Sequence, residues 1–285
     1  MNDRLIFDLG MNNGDDTDYY LKKGFSVVAV EANPQLCEAC RGRFADAIVA
    51  GRLRIVHAAI AGKAGELQLF LNEDVSGWST TSDKWQQTRE QAKTRARAVT
   101  VRAITVADLV REHGMPYYLK ADIQGAEIAC LQSLAELAER PAWLSVSAGT
   151  DVLRVGAFEH VREQMRLLEQ LGYDRFKIIA QQETRLQSCP NPALEGDYVD
   201  YRFSHGSSGL FGRELPGEWI DADTALTEHR KIVTGYRFAG HSRSPAAWFN
   251  RIPSESVKYA LDRLFWRGVG WYDTHAARQG ASSAG

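Results

Sequence analysis

Three short stretches concentrate residues that could do chemistry. The first is "FDLGMNNGDDT", in which Asp8 closes an apolar run and Gly10 and Gly14 frame Met11, Asn12 and Asn13. Two glycines here let the backbone turn tightly and let a ligand approach with no Cβ in the way. Asp8 can accept hydrogen bonds from loop N–H groups or from a ligand amine. The spacing is G-x-x-x-G, which differs from the G-x-G-x-x-G of dinucleotide enzymes. Asp15 and Asp16 suit the positive end of a following helix but would repel a pyrophosphate, so a zwitterionic amino-acid group fits better.

The second stretch is "VVAVEANP". Glu31 lies 21 positions after Gly10, close to the ~20-residue offset at which an acidic residue reaches a ribose. A carboxylate there accepts both ribose hydroxyls and excludes a 2′-phosphate. Together the two stretches point to an adenosine-containing ligand. The third, "LKADIQGAE", carries Asp122 at an apolar run's end and Glu127 in the first turn of the next helix. Asp122, Gln124 and Glu127 can converge above a sheet, where a carboxylate pair binds an ammonium, a metal or a substrate hydroxyl. Glu127 also suits a helix cap. No His-rich or dense carboxylate set accompanies them, so no metal is expected.

These stretches need a frame that brings strand ends together. Apolar, β-branched runs stand at 5–9, 27–30, 53–56, 118–121, 143–146 and 176–179, and helical patterns separate several of them. Pro34 suits a first helical turn, and Gly114 a helix stop. Phe158, Val161, Met165, Leu168 and Leu171 form a core-facing stripe. Such alternation implies an α/β fold with a mostly parallel sheet and helices on both faces. Ligands of such sheets bind beyond the carboxyl ends of the strands. Two further strands are expected at "ELQLFL" and "AVTVRAI", and another at "YVDYRF". The polar segment 72–98 between the first two suits a helical insertion or a lid over the site, and it contains Trp78, Ser79 and Thr80. Arg95, Arg97 and Arg102 suit a solvated face. The expected division is 1–215 as the ligand-binding domain, 216–280 as a helical appendage and 281–285 as a disordered tail. Trp266, Trp271 and Tyr272 are assigned to packing of that appendage or to a homodimer contact.

Composition bounds the alternatives. The chain has 285 residues, 44% of them hydrophobic and 25% charged, as in a soluble enzyme. A net charge of -2 gives no general attraction to nucleic acid or acidic membranes. No run approaches the roughly 18 apolar residues of a membrane span, and no secretory signal is visible, so a cytoplasmic protein is expected. Cys37 and Cys40 fall within a helical pattern and suit buried free thiols. Of the seven histidines, His113 abuts a helix end. His205, in the Gly/Ser-rich "FSHGSSG" loop, is the best placed to act as a base.

In order and spacing, the three stretches resemble the FkbM family of S-adenosylmethionine-dependent methyltransferases, over about residues 4 to 150. The resemblance implies a class I methyltransferase (Rossmann-like) sheet of seven strands with one antiparallel edge strand. It implies S-adenosylmethionine as cofactor, with Asp8, Gly10, Asn12 and Gly14 around its methionine part and Glu31 on its ribose. Ala58 and Ala59 would lie near the adenine, and Asp122 would face the methionine or acceptor side. Thr17, Ala32 and Asn33 complete the expected cofactor site. Asp122, Glu127 and His205 are the candidates for taking a proton from the acceptor, a small molecule or saccharide hydroxyl. Family members usually carry a Glu at the end of the strand where this chain has Ser147. An NAD-dependent oxidoreductase, which Glu31 would also serve, and a non-catalytic cofactor-binding protein are the alternatives.

Overall fold

A computed structural model describes residues 2–72, 96–148, 157–239 and 271–278. Apolar, β-branched runs generate the strands, and each run ends where glycine or a polar cluster breaks the extended pattern. The strands are β1 (Asn2–Leu9), β2 (Ser26–Glu31), β3 (Leu53–His57), β4 (Ala59–Ile60), β5 (Gly65–Asn72), β6 (Ala96–Ile104), β7 (Pro116–Ala121), β8 (Trp143–Ser147), β9 (Tyr173–Ala180) and β10 (Tyr272–Arg278). The helices are α1 (Asp15–Lys22), α2 (Pro34–Arg43), α3 (Ala45–Val49), α4 (Val106–His113), α5 (Glu127–Leu134), α6 (Ala157–Gln170) and α7 (Ala222–Ala239). Local chemistry sets several helix ends. Asn33 accepts from the Gln35 N–H at 2.9 Å to start α2, with Pro34 in its first turn. Thr105 caps α4 in the same way, and Gly114 ends it.

Seven strands form one sheet in the order β3-β2-β1-β7-β8-β10-β9. β1, β2, β3, β7 and β8 pair in parallel, and β10 runs antiparallel to both β8 and β9. The strand order reverses between β1 and β7, which makes their carboxyl ends the place for a ligand. β4, β6 and β5 form a separate three-stranded sheet in which β5 and β6 pair antiparallel, where the sequence pattern predicts two extra strands.

Side-chain alternation divides the core in two. Leu5, Phe7 and Leu9 of β1 join Val28, Val30, Leu119, Leu144 and Val146 on one face, under α4 to α7. Ile6, Val27, Ala29, Tyr118 and Trp143 join Tyr19, Tyr20, Phe44 and Phe211 on the other, under α1 to α3 and residues 187–219. The expected α6 stripe packs in the first of these, through Val161, Met165, Leu168 and Leu171.

Three expectations need correction. The antiparallel strand of the main sheet is β10, inside the sheet and one place from its edge. The segment expected as an appendage therefore ends in the main sheet, and Tyr272, expected at an appendage or dimer contact, is buried in the core. Polar Asp273, Thr274 and His275 hide this strand in the sequence, because nothing in a local pattern announces burial on both faces. The stretch "YVDYRF" forms no strand: Tyr201 and Phe203 instead pack on Tyr19, with ring centroids 5.0 and 4.8 Å away. The lid expected at 72–98, with Trp78, Ser79, Thr80 and Arg95, lies largely outside the described residues, as do Trp266 and the tail. No helix among the described residues is long and apolar enough to cross a membrane.

Candidate active site

The alternation that buries Leu5, Phe7 and Leu9 on one face sends Asp8 to the other, and Lys120 lies directly across from it on β7. The same level continues through Ser145 on β8, His275 on β10 and Lys177 on β9. All five are buried. A polar row thus crosses five strands beneath α1 and the 187–219 segment.

Lys120 sits at its centre. Its Nζ lies 3.0 Å from Asp8 Oδ1, 3.3 Å from Asp16 Oδ2 and 3.3 Å from the Gly10 carbonyl. The other oxygen of Asp8 accepts from Thr17 Oγ1 at 2.6 Å. Burial alone would depress the lysine, but the charges of Asp8, Asp16 and Asp122 outweigh it and hold Lys120 well above its ordinary range. Burial pushes Asp16 up, against the pull of Lys120. One ammonium therefore ties the end of β1, the glycine turn and the start of α1 together.

The turn is shaped from below. Gly10 has φ +82°, and a Cβ there would stand 1.9 Å from the Asp122 carbonyl oxygen. Gly14, at φ +83°, backs onto Phe44 and Cys40. The sequence suggests that these glycines make room for a ligand; the neighbours they make room for are the protein's own. Cys40 Sγ donates to the Asn12 carbonyl at 3.5 Å and Cys37 Sγ to that of Glu31 at 3.3 Å, so the C-x-x-C pair packs behind the cleft as free thiols.

Glu31 joins the first two motifs. Its carboxylate accepts from the Asn12 N–H at 2.9 Å and the Asn33 N–H at 2.7 Å. Burial raises its pKa, and these donors oppose the rise. Each oxygen keeps a further lone pair for a donor such as a ribose hydroxyl. The Ala32 carbonyl meets His57 Nε2 at 3.1 Å, and the Ala58 N–H donates to the Glu31 carbonyl at 3.0 Å. Ala58 and Ala59 are themselves buried.

Asp122 is half-buried at the end of β7 and accepts from Gln124 Nε2 at 3.0 Å. Its backbone N–H donates to the Leu9 carbonyl, across the point where strand order reverses. Glu127 is fully buried, and both of its oxygens accept backbone N–H groups, from Ile123 at 3.3 Å and Gly125 at 2.9 Å. That is the geometry of a cap for the turn before α5. Burial and the nearby charge of Asp122 push its pKa up to about 7.

The loop after "YVDYRF" closes over α1. Tyr201 Oη donates to Asp18 at 2.9 Å, Ser204 Oγ to Asp15 at 2.6 Å, and the Ser208 N–H to Asp16 Oδ1 at 2.9 Å. The acidic helix start therefore anchors a loop, a role the motif alone does not reveal. His205 is exposed on this loop, its ring 6.3 Å from that of Trp271. Asp273, the residue after Tyr272, lies opposite Ser147 and brings a carboxylate to this end of the sheet from a neighbouring strand. Neither the Lys120 brace nor Asp273 is visible as a motif, since both depend on strand order.

A family model described as the methyltransferase FkbM domain matches residues 8–175, more than half the chain. The chain belongs to the FkbM methyltransferase family. The match takes in all three motifs, from Asp8 through Glu31 to Asp122, together with Lys120. No curated protein matches the chain. Among solved structures, the methyltransferase FkbM from Methylobacillus flagellatus KT aligns at 15% identity and a TM-score of 0.35, covering 57% of this chain and 35% of that one. The chain thus spans about a third of the length of that FkbM protein. A SAM-dependent methyltransferase from Archaeoglobus fulgidus aligns at 11% identity and a TM-score of 0.39, covering 97% and 87% of the two chains. The precorrin-6y C5,15-methyltransferase from Geobacter metallireducens GS-15 aligns at 10% identity and a TM-score of 0.37, covering 97% and 80%.

Proposed function

We propose that this FkbM-family protein is a cytoplasmic S-adenosylmethionine-dependent methyltransferase that methylates a hydroxyl of a saccharide or other small molecule. The observation that carries the proposal is Glu31, held by N–H groups from the loops after both β1 and β2 with lone pairs to spare. Asp8, Gly10, Asn12 and Gly14 form the methionine side, with Thr17 and Asn33 as supports of Asp8 and Glu31. Asn12 Oδ1 is buried without a partner among the described residues and is free to meet a ligand amine. Ala32, Ala58 and Ala59 border the base side. The four unpaired cysteines accord with a reducing compartment.

Bound there, S-adenosylmethionine supplies an electrophilic methyl on a cationic sulfur. Much of the protein's task is then positioning. The half-buried Asp122 is the candidate to accept the acceptor's proton. Glu127 supports that turn, and His205 stands at the rim as a second candidate base.

Calorimetry on the folded protein is expected to show binding of S-adenosylmethionine and S-adenosylhomocysteine in preference to NAD. Absence of binding by both sulfur compounds overturns the proposal. Glu31→Ala is expected to weaken either ligand about tenfold or more, as loss of charge-assisted hydrogen bonds does. Equal affinity, in a variant whose melting shows it folded, would remove Glu31 from the ribose role.

A further inference from the structure

Asp273 is 2% exposed at the start of β10. Both of its oxygens accept from one amide, Gln181 Nε2, at 2.9 and 3.0 Å. Gln181 is itself held, its N–H on the Trp271 carbonyl and its own carbonyl on Thr184 Oγ1. Among the described residues no lysine or arginine forms an ion pair with Asp273, and Lys120 is already shared by Asp8 and Asp16.

The groups that act on Asp273 come from every side. Lys120 belongs to β7 and Asp122 to the turn just after it, Asp16 to α1, Gln181 to the 3-10 turn after β9, and uncharged Ser147 to β8. On its own strand, His275 is held neutral by burial and Lys177, its pKa pushed down to about 3. Burial and the negative charge of Asp122 push Asp273 up to about 7, while Gln181 and Lys120 oppose them. Lys120 thus pairs with Asp8 and Asp16, which leaves Asp122 and Asp273 without an ion pair among the described residues. Ser208, whose N–H donates to Asp16, keeps its hydroxyl buried with no partner among the described residues. Such a cleft favours a ligand that brings positive charge. A cation beside Asp122 offsets the repulsion that holds a proton on Asp273.

Resting on the methyltransferase reading, we infer that Asp273 lets the cleft sense the charge of the donor. It gives its proton to solvent when a sulfonium donor binds and takes one back when the neutral thioether product remains. The donor is thereby held more tightly than the product. The sign follows from linkage: protonated Asp273 must lose its proton for the donor to bind tightly, so donor affinity rises with pH through about 7.

The test is calorimetry of the full chain with S-adenosylmethionine and with S-adenosylhomocysteine, in two buffers of different ionisation enthalpy, for the wild type and Asp273→Asn. Comparing the two proteins cancels the ligands' own titration. At pH 7 the wild type is expected to release on the order of half a proton more than Asp273→Asn on binding the sulfonium. The two proteins should release equally on binding the thioether. The preference for sulfonium over thioether at pH 8 should fall about tenfold in the variant. Equal proton release with the sulfonium, or an unchanged preference, overturns the inference while leaving the methyltransferase reading standing. Binding of neither ligand to folded wild type overturns both. Gln181→Leu covers the case in which Asp273→Asn does not fold. It removes the amide donor, so the pH of half-maximal release should move upward, and an unmoved midpoint overturns the inference.

Discussion

Lys120→Met is expected to cost about 3–5 kcal/mol of stability at pH 8, the usual penalty for stripping a buried carboxylate of its only cation. Asp8 and Asp16 are both buried, and among the described residues the Lys120 ammonium is the one charge that pairs with them. A typical domain has only about 5–15 kcal/mol in total, so partial unfolding at 37 °C is expected. The pH dependence gives the prediction its specificity. In the wild type the folded lysine is raised above its unfolded value, so its contribution is complete through the neutral range and is lost only as pH rises beyond about 10.4 toward the folded pKa. In the variant Asp16, already pushed up by burial, loses the opposing pull of Lys120, so the folded state binds more protons and gains stability as pH falls. Urea unfolding at pH 5 and pH 8 checks this. The gap between wild type and variant should narrow markedly at pH 5. A loss below about 1 kcal/mol at pH 8, or an equal loss at both pH values, would falsify the brace.

Gly10→Ala is the second large effect, at roughly 3 kcal/mol or more. Two costs add. The residue holds φ +82°, where an L side chain is strained, and the new Cβ would stand 1.9 Å from the Asp122 carbonyl oxygen. That neighbour is backbone, so no rotamer change relieves the contact. The glycine turn or the end of β7 must move, and with it the Asp122 side of the cleft. S-adenosylhomocysteine affinity is therefore expected to fall together with stability. Gly51→Ala provides the control: it has φ +70° with nothing within 4 Å, so only the conformational cost of about 1–2 kcal/mol applies. Similar melting temperatures for the two variants would remove the close approach as the reason for glycine at position 10.

Four of the six main apolar runs, those of β1, β2, β7 and β8, are legible because both faces of an inner parallel strand are buried, which writes a continuous hydrophobic signal into a few residues. β10 carries no such signal. Its Asp and Thr are tolerated because Gln181 and His229 meet their side-chain polar atoms, and burial holds His275 neutral. "YVDYRF" misleads in the opposite direction. Its aromatic content reads as strand, but its rings pack on Tyr19 and its serine-rich continuation seals α1.

The cleft divides along the same line. Asp8, Glu31 and Asp122 are visible in the sequence because each stands at the end of an apolar run, where a parallel strand must hand over to a loop. What these carboxylates touch is decided by strand order. The reversal between β1 and β7 sets Lys120, 112 residues away in sequence, against Asp8, and brings the Asp122 carbonyl under Gly10. The insertion of β10 between β8 and β9 places Asp273 opposite Ser147. Local patterns determined which residues end strands and therefore where a donor could be held. Only the tertiary structure decided which buried charges share a cation and which stands without one, because that balance depends on distances between strands far apart in the chain.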